Sequence, residues 1–190
     1  MTFKRRLQEK TDYNQRLALL KSGKPRAVIR RSLNNIRVQI VRSEEGSDKT
    51  IAEGISKNLK KFGWKVHGGS MASAYLIGYF VGTKAVAHGI NEAIVDLGLQ
   101  KAARGSSLFA AALGVHDAGV KINVGKEAIP NKDRISGKHV AAFAEKLKKE
   151  NMEKYKKQFS AYLKEGVQPE ELPKLFEEVK EKTKGMNPDR

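Results

Sequence analysis

The side chains best equipped to do chemistry lie at the start of the chain. Lys4, Arg5, Arg6, Lys10, Arg16, Lys21, Lys24, Arg26, Arg30, Arg31, Arg37 and Arg42 are interleaved there with Tyr13, Asn14, Gln15, Asn34, Asn35 and Gln39. Guanidinium forks match the geometry of phosphate oxygens, and a tyrosine ring offers a surface on which an exposed base can stack. Residues 1–42 hold 12 basic and 2 acidic side chains, a net of +10 out of +16 for all 190 residues. A solvated, mixed-sign surface explains the alternating Lys and Glu of the C-terminal third but not this concentration. The expected partner is a polyanion. Nucleic acid is favoured over an anionic membrane, because the basic stretch contains no amphipathic helix with a Trp or Phe face.

Other chemistries find little support. Ser106 or Ser107 with His116 and Asp117 supplies the residue types of a nucleophilic triad, but no strand-to-helix elbow surrounds either serine. Metal-assisted chemistry needs clustered carboxylates, and the stretches 26–31 and 36–42 contain none. Asp96 and Asp117 are isolated acids, and Asp96 reads as a structural hydrogen-bonding group or loop cap. His67-Gly68-Gly69-Ser70 has the form of an anion-binding helix start, yet without a P-loop pattern it reads as an ordinary cap. Cysteine is absent, which removes disulfides, thiol catalysis and Cys-based metal sites. No catalytic residue, cofactor or metal ligand is expected.

These groups need elements to hold them. Residues 1–24 carry too little apolar surface to fold alone and read as an extended basic arm with one short helix, ordered by a polyanion. Arg26–Arg31 and Ile36–Arg42 flank a Ser32–Asn35 turn and form a hairpin, in which Ile36, Val38 and Ile40 face a core while Arg37 and Gln39 face outward. Asp48–Ala52 is read as a third strand after the Glu44–Ser47 turn. A short helix follows from about Ala52 to Phe62, closed by Gly63, with Trp64 behind it. The segment Ser70–His88 is apolar on nearly all sides and predicts a buried helix, with Gly78 and Gly82 allowing close backbone approach. Ala93–Leu97 predicts a buried strand, Ser106 to about Ala118 a second helix, and Val120–Val124 the last strand. Beyond Pro130 the apolar spacing predicts one long or broken helix, then another opened by Pro169 or Pro173 and ended by Gly185. The longest apolar stretch, Met71 to Val81, is too short to span a bilayer, and the N-terminus has no apolar run of a secretory signal. A cytoplasmic location is expected.

Several separated motifs fall in one family's order. Glu9-Lys10-Thr11-Asp12-Tyr13 with Arg16-Leu17, Ser22-Gly23-Lys24-Pro25-Arg26, Val38-Gln39-Ile40 and Gly63-Trp64-Lys65 resemble the archaeal form of large-subunit ribosomal protein eighteen, the 5S ribosomal RNA binder. Ala74-Tyr75-Leu76 with Gly78, Glu92 to Leu99, Phe109-Ala110-Ala111, Asp117-Ala118-Gly119 and Arg134 to His139 continue the resemblance over nearly the whole chain. The helical tail corresponds to the extension that shorter bacterial relatives lack.

The resemblance implies a three-layer α/β/α, RNase-H-like mixed sheet without nuclease activity, with a basic arm at 1–24, an α/β core at 25–137 and a helical extension at 138–190. It implies a structural constituent of the large subunit that binds 5S rRNA in the central protuberance, beside the large rRNA, large-subunit ribosomal protein five and other proteins of that region. The RNA-binding residues are then Lys4, Arg5, Arg6, Lys10, Thr11, Tyr13, Arg16, Lys24, Arg26, Arg30, Arg31, Asn34, Asn35, Arg37 and Gln39, with Lys101 and Arg104. Two loops depart from the pattern. Asn34-Asn35 stands where relatives often have Lys or His, and Gln100–Ser107 lacks one or two of the usual basic residues. Two alternatives remain beside this reading: a divergent nuclease on the same fold, opposed by the carboxylate-free first strands, and a free nucleic-acid packaging protein, opposed by the one-ended charge.

Overall fold

The computed structural model of the chain describes residues 3–44 and 47–184. Five strands form one mixed sheet in the order β3-β2-β1-β4-β5. β1 (Arg26–Arg31), β2 (Ile36–Glu44) and β3 (Ser47–Ile55) form an antiparallel meander, while β4 (Glu92–Asp96) runs parallel to β1 and β5 (Lys121–Ile122) parallel to β4. The register pairs Ala27 with Ile40 and Ile29 with Val38, so these four buried side chains share one face. Arg30 pairs with Arg37 and Val28 with Gln39 on the other. The alternation expected for the hairpin is therefore the one observed.

Helices α3 (Met71–Ala87) and α4 (Ser107–Asp117) lie together on the apolar face. Their backbones touch because both lack side chains at the crossing. A Cβ on Gly78 would collide with the Ala111 carbonyl, and one on Gly114 with that of Tyr75. Gly82 makes the same allowance, since a Cβ there would stand 2.9 Å from the Val115 carbonyl oxygen. The expected N-cap is present: Ser70 Oγ accepts from Ser73 N at 3.2 Å. Ser73 Oγ in turn accepts from the indole N–H of the buried Trp64 at 2.7 Å and donates to the His67 carbonyl at 2.8 Å. Ser106 holds the cap position of α4 but makes no side-chain cap bond.

The remaining elements refine the sequence reading. β3 continues to Ile55, and the expected helix at 52–62 is a 3₁₀ segment over Ser56–Phe62, closed by Gly63 at φ 91°. Gly54 belongs to the strand because Ile77 and Val81 of α3 occupy the space its Cβ would fill. β5 pairs over only two residues, not the five that alternate. The arm contains two helices, α1 (Lys4–Leu7) and α2 (Tyr13–Lys21), where one was expected. Arm residues share a cleft with the sheet face that points away from α3 and α4, so the sheet lies between two helical layers.

After β5 come α5 (Lys132–Ile135), α6 (Lys138–Glu150), α7 (Met152–Gln158), α8 (Ser160–Lys164), a 3₁₀ turn at Pro169–Glu171 and α9 (Leu172–Lys184). The expected stop at Gly185 and the centre of the Glu44–Ser47 turn lie outside the described residues. α9 packs on α3, with Phe176 5.5 Å from the Tyr75 ring and Val179 fully buried. The outer side of the apolar α3 is thus covered by the C-terminal helix.

Candidate nucleic-acid interface

The polar face of the sheet is built around an ionic ladder. Arg26 on β1 is 4% exposed. Its Nη1 donates to Asp96 Oδ2 at 2.9 Å, and its Nη2 lies 2.7 Å from Asp48 Oδ2. Arg16 on α2 donates to the same Asp48 oxygen at 2.8 Å, which ties the arm to β3. Arg30 completes the series with bonds to Asp96 Oδ1 at 2.8 Å and to the Asp96 carbonyl at 2.6 Å. Burial pushes the Asp48 carboxyl up, but the hydrogen bonds from Arg26 and Ser43 and the charges of Arg26 and Arg16 outweigh it and hold Asp48 below its ordinary value. Asp96 also accepts from Gly98 N at 2.9 Å, as expected of a structural acid at a strand end.

Above this ladder α1, α2 and the face of β1–β3 enclose a cleft of about 280 Å³. Arg5, Lys10, Arg16 and Arg30 line it beside Gln39. The arm is shaped by local contacts. Asp12 caps α2 by accepting from Asn14 N and Gln15 N, Arg5 Nε donates to Thr11 Oγ1 at 3.0 Å, and Tyr13 stacks on Phe3 at 4.7 Å. One face of the Tyr13 ring is therefore already covered.

The predicted RNA-binding residues separate into groups by their partners. Lys4, Arg5, Arg6, Lys10, Arg31, Arg37 and Lys101 are exposed, and none forms an ion pair among the described residues. Arg16, Lys24, Arg30 and Arg104 are paired with Asp48, Glu92, Asp96 and Glu127, the Lys24–Glu92 contact being 2.6 Å. Gln39 donates to Glu53 across the β2–β3 pair at 2.9 Å. Arg26 departs most from its expected place on an accessible surface: the neighbouring acids and the arm bury it, leaving its Nε without a partner. Arg31 is tied through its backbone, which exchanges bonds with the Gln100 amide at 2.9 and 2.6 Å. Asn34 and Asn35 sit at the hairpin turn, apart from the cleft. Asp48 was not singled out by sequence, although its place in the third strand was visible there.

The residue types of a triad do not assemble. Ser107 and His116 stand nine residues apart on α4, roughly 13 Å along the helix axis, and Asp117 accepts from Tyr75 Oη at 2.8 Å. At the start of α3 the N–H groups of Gly69, Ser70 and Ser73 are bonded to His67 Nδ1, the His67 carbonyl and Ser70 Oγ, as an ordinary cap requires.

A mixed α/β sheet with cations gathered beside its polar face defines a scaffold suited to a polyanion. The match to known proteins gives that scaffold its place. Residues 1–91 match the family model described as ribosomal large subunit proteins 60S L5, and 50S L18. That match, over the first 91 residues, supports a large-subunit ribosomal protein of the L18 type, a structural component of the ribosome. The match favours neither the nuclease nor the free-packaging alternative.

Proposed function

We propose that the protein binds 5S rRNA and anchors it in the central protuberance of the large subunit, touching the large rRNA and large-subunit ribosomal protein five there. The observation that carries this reading is the cleft in which the arm meets the polar sheet face, with Arg5, Lys10, Arg16 and Arg30 around it. On this reading residues 1–24 are the RNA-binding arm, 25–137 the α/β core and 138–190 a helical extension. The unpaired cations Lys4, Arg5, Arg6, Lys10, Arg31, Arg37 and Lys101 neutralise phosphates. Lys24 and Arg104 exchange the surface carboxylates of Glu92 and Glu127 for phosphates, Arg16 and Arg30 reach phosphates while held by Asp48 and the buried Asp96, and Arg26 stiffens the face from within. Thr11, Tyr13, Asn34, Asn35 and Gln39 supply neutral contacts.

Competition between 5S rRNA and an unrelated folded RNA tests the reading. Arg5→Ala/Arg6→Ala should weaken both complexes alike, since phosphate contacts carry no sequence information. Arg37→Ala/Gln39→Ala, on a rigid strand, should reduce the preference for 5S rRNA beyond the loss due to charge. A wild-type chain with no preference for 5S rRNA would overturn the proposal.

A further inference from the structure

A second pocket, of about 410 Å³, opens at the hairpin turn, where the 3₁₀ segment 56–62 and helix α8 converge. That volume falls within the usual size of a small-molecule site. Its floor is tightly built: a Cβ on Gly68 would lie 2.7 Å from the Asn34 carbonyl oxygen and 2.8 Å from Ser56 Oγ. His67 Nδ1 accepts from Gly69 N at 3.2 Å, so the ring proton is on Nε2, which faces Asn34 Oδ1 at 3.4 Å. Asn35 Oδ1 accepts from Ser56 Oγ at 3.3 Å. Both asparagine oxygens are thereby engaged, and neither amide NH₂ donates to another described side chain. These are the donors that read carbonyl oxygens and ring nitrogens on a base edge.

The remaining walls complement the rest of a nucleotide. Tyr162 lines the pocket from α8, braced edge-on by Phe159 at 5.9 Å, and its hydroxyl has no hydrogen-bond partner among the described residues. Lys57 and Lys65 are exposed at the rim with no ion pair among the described residues, and Lys60 is only 3.9 Å from Glu165 Oε1. At the adjoining turn Leu33 is 91% exposed, an apolar group beside the opening.

We propose that this pocket receives one unpaired nucleotide of ribosomal RNA, its base between Tyr162 and the Asn34 and Asn35 amides and its phosphates on Lys57 and Lys65. The inference rests on the RNA-binding reading above and adds a contact independent of the arm. A base in a duplex has its pairing edge occupied and its faces stacked, so the pocket selects single-stranded RNA. An acidic peptide would satisfy the lysines but leave the amides and the aromatic wall unused.

The test uses the full chain and a single-stranded RNA hexanucleotide carrying one 2-aminopurine, with a blunt duplex of the same sequence as competitor. Binding should quench the fluorophore, and the duplex should compete poorly. Tyr162→Ala should weaken binding roughly tenfold, the scale of one lost base stack, while Tyr162→Phe keeps the quench. Lys57→Ala/Lys65→Ala, at exposed positions that leave folding intact, should weaken it by a similar factor. Unchanged quenching in that lysine pair, or equal competition by the duplex, would overturn the proposal. Arg5→Ala/Arg6→Ala separates the two readings, since it should weaken 5S rRNA binding and leave the quench in place. If the arm variant weakens 5S rRNA binding and the pocket variants leave the hexanucleotide unaffected, the function stands and the pocket assignment fails.

Discussion

Arg26 and Asp96 meet across two parallel neighbours, Nη1 to Oδ2 at 2.9 Å, with both residues at most 6% exposed. The pair joins the hairpin to the first strand beyond the crossover. It is also a point from which the cation-rich face is held in register, because Arg26 lies opposite Ile94 and Val28 opposite Asp96.

Removing one member of this pair leaves a charge buried without its main partner. Asp96→Ala should destabilise the fold by about 3 kcal/mol, the usual scale for breaking a buried pair. Urea denaturation would read this as a lower midpoint with an unchanged slope. A midpoint equal to wild type would show that Asp48 alone suffices for Arg26.

Asp48 links arm to sheet, and its titration reports that link. Its folded value lies below the ordinary 3.8, so the stabilisation it brings is complete above 3.8 and is lost as pH falls through the lower folded value. Arg16→Ala removes one of the two cations on Asp48 and should raise its midpoint toward 3.8. Carbon-13 carboxyl titration by NMR checks this. No movement would mean that α2 does not hold its ion pair in solution.

The contact between α3 and α4 makes a steric prediction. Gly78→Ala should cost about 1–3 kcal/mol or more, because a methyl group there meets backbone that cannot swing away. Gly125→Ala is the matched control, with open space around its Cβ and an ordinary φ of −61°. It should be neutral or slightly stabilising. Thermal melts of the two variants should therefore diverge.

Burial and the neighbouring Asp117 both push the Tyr75 hydroxyl far above its ordinary value of 10.0. Alkaline absorbance titration should find one tyrosine that stays protonated until the protein unfolds. In Tyr75→Phe that silent tyrosine should disappear from the count, at a stability cost of about 1 kcal/mol for the lost hydrogen bond to Asp117.

Salt dependence isolates the arm. Each phosphate contact contributes roughly −0.7 to −0.9 to the slope of log K against log salt. Arg5→Ala/Arg6→Ala should therefore flatten the slope for 5S rRNA by about one to two. An unchanged slope would place the principal phosphate contacts elsewhere on the chain.

Local pattern made much of this molecule legible. The alternation of Ile36, Val38 and Ile40 with Arg37 and Gln39 specified both faces of β2, and the all-round apolar Met71–Ala87 specified a helix covered on two sides. The third strand runs past its expected end at Ala52 to Ile55, with Ile77 and Val81 of α3 filling the space a side chain at Gly54 would take. β5 is shorter than its alternation because pairing, not pattern, bounds a strand, and only Glu92 and Ala93 face it. The ionic ladder was hidden for a different reason. Arg26 and Asp96 are far apart in sequence, and their contact exists only in the observed β1–β4 register. The cations of the interface could be read one by one, but not which of them the protein's own acids had already claimed.

The seat of α9 on α3 orders events during synthesis. Helix α3 is apolar on nearly all sides, and part of its surface waits for Phe176 and Val179, nearly a hundred residues downstream. A growing chain therefore displays its cationic first segment long before the core can close, and until residues 172–184 have been made the outer side of α3 stays uncovered. Early engagement of the arm by RNA would hold such a chain apart from its neighbours during the interval when it is most prone to aggregate.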